Sequence, residues 1–221
     1  MKKTVKERLY PYRHAWILSY FALYLVWFFY LEETVRPKIW VHSALDNLIP
    51  FCEYFIIPYY LWFLYVAAAI IFFFFASPKE YYRLCGFLFT GMTICLILYM
   101  LFPNGHHLRP HFFERDNIFV DMVIGLYGTD TPTNVNPSIH TLNSLAVHTA
   151  IWRSPSFQEK PVIRYGSLVL CISIILSTVF LKQHSIEDAF NAFLLAVPLY
   201  LIFFRKDVTI PKKSKHRLIV P

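Results

Sequence analysis

Repeated runs of about 20 apolar residues leave a chain few ways to fold, because such a run matches a hydrocarbon core roughly 30 Å thick. Six runs of this kind are legible: Ala15 to Leu31, Ile56 to Ala76, Leu84 to Phe102, Ser138 to Trp152, Gly166 to Leu181 and Ile186 to Phe204. The fourth is short and polar, and the sixth follows an acidic start. In lipid every backbone polar group must be satisfied within the segment, so each run is expected to be a helix. The expected fold is all-α: a six-transmembrane-helix bundle over residues 15–204, between basic segments 1–14 and 205–221. Only 16% of the 221 residues are charged, against about 25% in soluble domains, which agrees with lipid as the main solvent.

The positive charge is patterned. Lys2, Lys3, Lys6, Arg8 and Arg13 precede the first run, and Arg205, Lys206, Lys212, Lys213, Lys215 and Arg217 follow the last. Cytoplasmic loops carry excess Lys and Arg, so both termini are expected in the cytoplasm, together with the loops holding Lys79 and Arg83 and holding Arg153, Lys160 and Arg164. The formal charge of +7 then follows from topology and requires no nucleic-acid partner. The first run is long, with no small-residue cleavage site after it, and reads as a retained helix rather than a signal peptide. Cys52, Cys85, Cys95 and Cys171 lack metal-ligand spacing and read as packing residues.

This topology puts three polar clusters on one, extracytoplasmic side: Asn104 to Pro110, Asn134 to His148 and Lys182 to Asp188. A stretch from Phe112 to Tyr127, between the first two, is apolar on alternate turns and is expected to lie flat at the interface. No Walker-type loop is present, and no cofactor is expected. His106, His107 and His111 are close in sequence, but adjacent imidazoles rarely carry the acidic partners that a metal site needs.

Ionisable groups at membrane depth are costly, so such clusters are functional candidates. His184 and Asp188 are four apart, on one helical face, where a carboxylate can fix the tautomer of an imidazole that acts as nucleophile. The same pair equally suits plain capping of a helix start. In Pro137-Ser138-Ile139-His140 the proline suits a helix start, Ser138 can donate to an oxyanion, and His140 can protonate a departing alkoxide. Arg109 offers a planar fork of donors for phosphate oxygens, and Lys182 adds a positive charge near His184.

Arg109-Pro110, Pro137-Ser138-x-His140 and Ser177 with His184-x-x-x-Asp188 occur in an order and spacing that resembles the type 2 phosphatidic acid phosphatase superfamily. The stretches FPNGHHLRP, DTPTNVNPSIH and STVFLKQHSIED look like a bacterial branch related to inositol-phosphorylceramide and sphingomyelin synthases. The resemblance implies a metal-independent enzyme of the cell membrane that acts on a lipid phosphate or diphosphate. His184 would form a phosphohistidine supported by Asp188, and His140 would protonate the leaving group. Arg109, Ser138 and the backbone near Ile139 would hold the phosphoryl oxygens, with Lys182 as an auxiliary cation. Two positions depart from the pattern: Phe102 stands where a lysine is expected and Thr178 where an arginine is expected. Two rival readings stay open, a phospho-head-group transferase to a lipid alcohol and a non-catalytic scaffold or transporter.

Overall fold

The computed structural model describes residues 10–205; the basic segments 1–9 and 206–221, with most of the charges that set the expected orientation, lie outside the described residues. A 3-10 stretch, Tyr10–Ser19, leads into α1 (Tyr20–Thr34). The long helices that follow are α2 (Ile56–Ala76), α3 (Pro78–Leu101), α6 (Pro161–Phe180) and α7 (Ile186–Phe203), with α4 (Ile118–Thr129) and α5 (Ile139–Arg153) between α3 and α6. Among the described residues, five helical stretches are long and apolar enough to cross a membrane: Tyr12–Thr34, Glu53–Ala76, Pro78–Leu101, Pro161–Phe180 and Ile186–Phe203. This is the construction of a multi-pass membrane protein.

Helix α5, expected as the fourth span, differs from these five. Its 15 residues, at a rise of 1.5 Å each, reach only about 22 Å. It is packed against α2, α3, α6 and α7. Thr141, Asn143 and Ser144 are buried along it beside Leu142, Ala146, Val147 and Ala150. Small and polar residues are favoured where helix meets helix, so the polarity that weakens this run as a lipid-facing segment suits it to the centre of the bundle. Close approach is needed there: a Cβ on Gly91 of α3 would come within 2.7 Å of Leu142 Cδ2.

The two ends of the bundle differ in chemistry. At one end His14 Nε2 meets the Phe74 carbonyl (2.9 Å) and Arg153 Nη2 donates to the Phe204 carbonyl (3.2 Å); there Ser77 alone separates α2 from α3, so that Lys79 and Arg83, expected in a loop, lie on α3, and the connection through Lys160 joins α5 to α6. At the other end Asn104 to Pro110, Asn134 to His140 and Lys182 to Asp188 come together, whereas His148, expected with the second cluster, lies two turns further along α5 against Ser167 of α6. A short parallel pair, β1 (Ile39–Trp40) with β2 (Asn104–Gly105), ties the α1–α2 connection to the end of α3. Asn104 staples this pair to the approach of α5: its amide donates to the carbonyls of Phe102 and Asn136, and its oxygen accepts from the amides of Val135 and Asn136.

The stretch from Phe112 to Tyr127 is helical only from Ile118, because Asn117 accepts from the amides of Phe119 and Val120 and so fixes the start of α4. Before it, Arg115 and Asn117 both donate to the buried carboxylate of Glu53. Val123 and Leu126 of α4 pack on Ile56, Tyr59 and Leu181. This packing sets α4 against the start of α2 and the turn between α6 and α7.

Candidate active site

His184 owes its position to a tight reversal between α6 and α7. Lys182 adopts a left-handed conformation (φ 52°), and the amides of Gln183 and His184 both donate to the Thr178 carbonyl, at 2.9 and 3.0 Å. Ser185 then caps α7, accepting from the Glu187 amide, while its own amide donates to Asp188 Oδ2 (2.9 Å) in a capping box. The same Asp188 oxygen lies 3.2 Å from His184 Nδ1. Capping and imidazole support, which are alternatives at the level of sequence, are therefore performed by one carboxylate. An Nδ1–H that donates to Asp188 leaves Nε2 with a lone pair.

His140 lies on the first turn of α5, and its ring centroid is 5.6 Å from that of His184, 4.6 Å from Tyr59 and 4.4 Å from Trp62. The starts of α5 and α7 are joined directly, since the Ser138 amide donates to the Asp188 carbonyl at 3.1 Å. Ser138 is fully buried, and its hydroxyl accepts from the Thr141 amide as the cap of α5. First-turn amides such as that of Ile139 have no acceptor within their own helix.

Both imidazoles line one cavity of about 350 Å³. Its walls include Tyr24 and Phe28 of α1, Tyr59 and Trp62 of α2, Ile139 of α5, and Asp130. At its rim Leu25, Phe29 and Phe63 are exposed apolar side chains. Asp130 is the one carboxyl side chain that lines the cavity, and no Lys or Arg lines it, among the described residues.

Arg109 stands behind this wall. Its Nη1 donates to the Tyr127 carbonyl (3.1 Å), its Nη2 to the Asp130 carbonyl (2.5 Å) and to the Gln183 side-chain oxygen, and its guanidinium lies 4.3 Å over the Tyr127 ring. Its Nε is buried without a partner. Gln183 Nε2 and the Tyr59 hydroxyl both donate to Asp130 Oδ2, at 3.2 and 2.7 Å. Burial pulls the Arg109 guanidinium below its usual value, against the opposing pull of Asp130. The Lys182 ammonium turns away from the cavity and donates to the carbonyls of Asp46 (2.8 Å) and Ile49 (2.5 Å). Phe102 is exposed at the end of α3, and Thr178 bonds back to the Ile175 carbonyl.

Of the residues singled out from sequence, His184, His140 and Ile139 line the cavity, Asp188 supports His184, Ser138 caps α5, Arg109 sits one side chain back, and Lys182 is elsewhere. The remaining histidines diverge. His106 is buried, with Nε2 2.8 Å from the Gln183 carbonyl and the Leu108 amide donating to Nδ1. Burial, and then His184, push its pKa down to about 4. His107 stacks on Trp40, His111 is exposed, and His148 meets Ser167 Oγ at 3.1 Å. Tyr59, Trp62, Asp130 and Gln183 were not legible as site residues: nothing marks one tyrosine among 15, and Asp130 sits in a polar loop with no motif of its own.

Compared with protein-family models, with characterised proteins and with solved structures, the chain finds no match.

Proposed function

We propose that this chain is a membrane-embedded enzyme, related to the type 2 phosphatidic acid phosphatases, that removes phosphate from a lipid phosphate or diphosphate through a phosphohistidine. The observation that carries this reading is the pairing of His184 with Asp188 at 3.2 Å, opposite His140 in one apolar-rimmed cavity. His184 Nε2 attacks phosphorus, the bond from phosphorus to the lipid oxygen breaks, and His140 gives that oxygen its proton. Asp188 holds the Nδ1–H and offsets the positive charge that the ring acquires. Water, deprotonated by His140, then attacks the phosphohistidine and releases phosphate.

The phosphoryl oxygens are held by the Ile139 amide at the start of α5, where Ser138 fixes the turn, and by Arg109. A phosphate that displaces the Gln183 side chain meets the guanidinium, including the Nε that now lacks an acceptor. The exposed apolar rim of Leu25, Phe29 and Phe63 suits acyl or prenyl chains. In this reading α5 is a sixth, short span, both termini are cytoplasmic and the cavity opens outside the cell membrane. The separation of the basic loops from the polar clusters, at opposite ends of the bundle, supports that orientation.

The test is phosphate release by detergent-solubilised protein, with chelator present, from phosphatidic acid, phosphatidylglycerophosphate and a polyprenyl diphosphate, beside His184→Ala. Release that survives the mutation sinks the phosphohistidine. A second reading, transfer of a phospho-head-group to a lipid alcohol, is favoured by the charge of the lining: a carboxylate and aromatic rings suit a phosphodiester with a cationic head group better than a dianion. Product that forms only when a lipid alcohol is added distinguishes it.

A further inference from the structure

Asp46 lies in the connection between α1 and α2, far in sequence from the candidate catalytic residues, yet it is buried at 1% exposure. It belongs to a 3-10 turn, Ala44–Asn47, whose cap Ser43 donates its amide to Asp46 Oδ2 at 2.8 Å. The rest of the carboxylate is committed to α7. Asp46 Oδ2 accepts from the Ser185 hydroxyl at 2.6 Å, and Oδ1 accepts from the Ile186 amide at 2.9 Å. Ser185 is thus held from two sides: its hydroxyl by Asp46, and its amide by Asp188, the carboxylate that also faces His184.

We propose that Asp46 is a positioning residue for the His184–Asp188 pair, acting through Ser185. A buried carboxylate is costly unless it is hydrogen-bonded and its charge is offset. Asp46 accepts three hydrogen bonds, stands at the N-terminal end of α7 where the helix dipole favours negative charge, and has the Lys182 ammonium on its own carbonyl. Lys182 donates also to the Ile49 carbonyl, so it fastens the 46–49 loop to the residue just before Gln183 and His184. The loop and the α6–α7 turn therefore form a clasp, with Asp46 closing one side and Lys182 the other. In this arrangement the basic residue beside His184 keeps the Asp46 loop seated, and its effect reaches the site through geometry.

The test compares wild type, Asp46→Asn, Asp188→Asn and the double variant. Its kinetic arm rests on the phosphohistidine reading. Its second arm does not: the rate at which diethyl pyrocarbonate modifies His184, followed by mass spectrometry, with exposed His107 as internal control. Asp46→Asn is expected to lower kcat about 10- to 100-fold, the range found where the hydrogen-bond partner that orients a metal-ligating imidazole is removed, with KM within about twofold of wild type. The labelling rate of His184 should change severalfold while that of His107 stays constant. In the double variant the two kcat losses should fall short of their product, because both act on one imidazole. If Asp46→Asn does not fold, Ser185→Ala severs the same hydroxyl–carboxylate bond from the other side and must give the same pattern. Wild-type kcat with wild-type His184 labelling overturns the proposal, as does an equal change at His184 and His107. If wild type shows no turnover, the phosphohistidine reading falls, and the labelling contrast alone decides the role of Asp46.

Discussion

His140 and His184, contributed by the starts of two different helices, face each other across one cavity with ring centroids 5.6 Å apart. The Ser138 amide, bonded to the Asp188 carbonyl, fixes that separation by joining the two helix starts. In the proposed reaction the two rings do different work, and their removal should leave different kinetic signatures.

Loss of the nucleophile is indifferent to the leaving group, whereas loss of the acid is not. His184→Ala should lower phosphate release by about 10³-fold or more on every substrate. His140→Ala should cost about 10²- to 10⁴-fold on an alkyl phosphate, where a proton must reach the departing oxygen. Because His140 also activates the water of the second step, the comparison is made on the first step alone: the pre-steady-state burst of p-nitrophenol, a leaving group that needs no proton, should slow far less than release of the alcohol from an alkyl phosphate. Equal slowing of that first step on both substrates would remove His140 from the role of acid.

Asp130 offers a handle on substrate charge. Among the described residues it is the one Asp, Glu, Lys or Arg that lines the cavity, and it accepts from both Tyr59 and Gln183. Asp130→Asn should favour doubly charged phosphomonoesters and disfavour donors with a quaternary ammonium group, each by several-fold in kcat/KM, since cation recognition at an aromatic site is worth about 1–2 kcal/mol. Competition between phosphatidic acid and a choline phospholipid in one assay reads the ratio directly.

His106 should make stability acid-sensitive. Its folded-state pKa of about 4 lies below the 6.5 of an unperturbed imidazole, so the unfolded chain takes up the proton first. Stability is complete above about pH 6.5 and falls as the pH drops toward 4, by up to about 3 kcal/mol from this group. Thermal unfolding in detergent between pH 7 and pH 4.5 should show a shallower decline for His106→Asn than for wild type. Parallel curves would show that the buried imidazole contributes nothing to acid lability.

Two glycines should respond oppositely to alanine. A Cβ on Gly105 would meet the Pro132 carbonyl oxygen at 2.8 Å and Pro37 Cγ at 2.9 Å, neither of which can swing aside. Gly105→Ala should therefore destabilise by about 1–3 kcal/mol. Gly125, inside α4, has nothing within 4 Å of such a Cβ, and Gly125→Ala should stabilise by about 0.5–1 kcal/mol through helix propensity. Melting temperatures of the two variants check both signs.

The sequence by itself determined the helices. Runs of apolar residues fix the long helices because lipid and backbone hydrogen bonding leave no alternative, and the expected bounds of the second, Ile56 to Ala76, coincide with those of α2. It also determined which polar residues are anomalous in such a chain, His140, His184 and Asp188 among them, because a titratable group among apolar residues stands out. Tertiary structure decided the remainder. Lys182 and Arg109 are both cations near the site in sequence, but a left-handed turn sends Lys182 to the Asp46 loop, and Arg109 is tied back by Gln183, Asp130 and Tyr127. The polarity of α5 suits a helix surrounded by α2, α3, α6 and α7, a setting that only the tertiary fold creates. Local patterns specify what a segment becomes; where a long side chain ends depends on acceptors 74 or 136 residues away, and no local pattern records them.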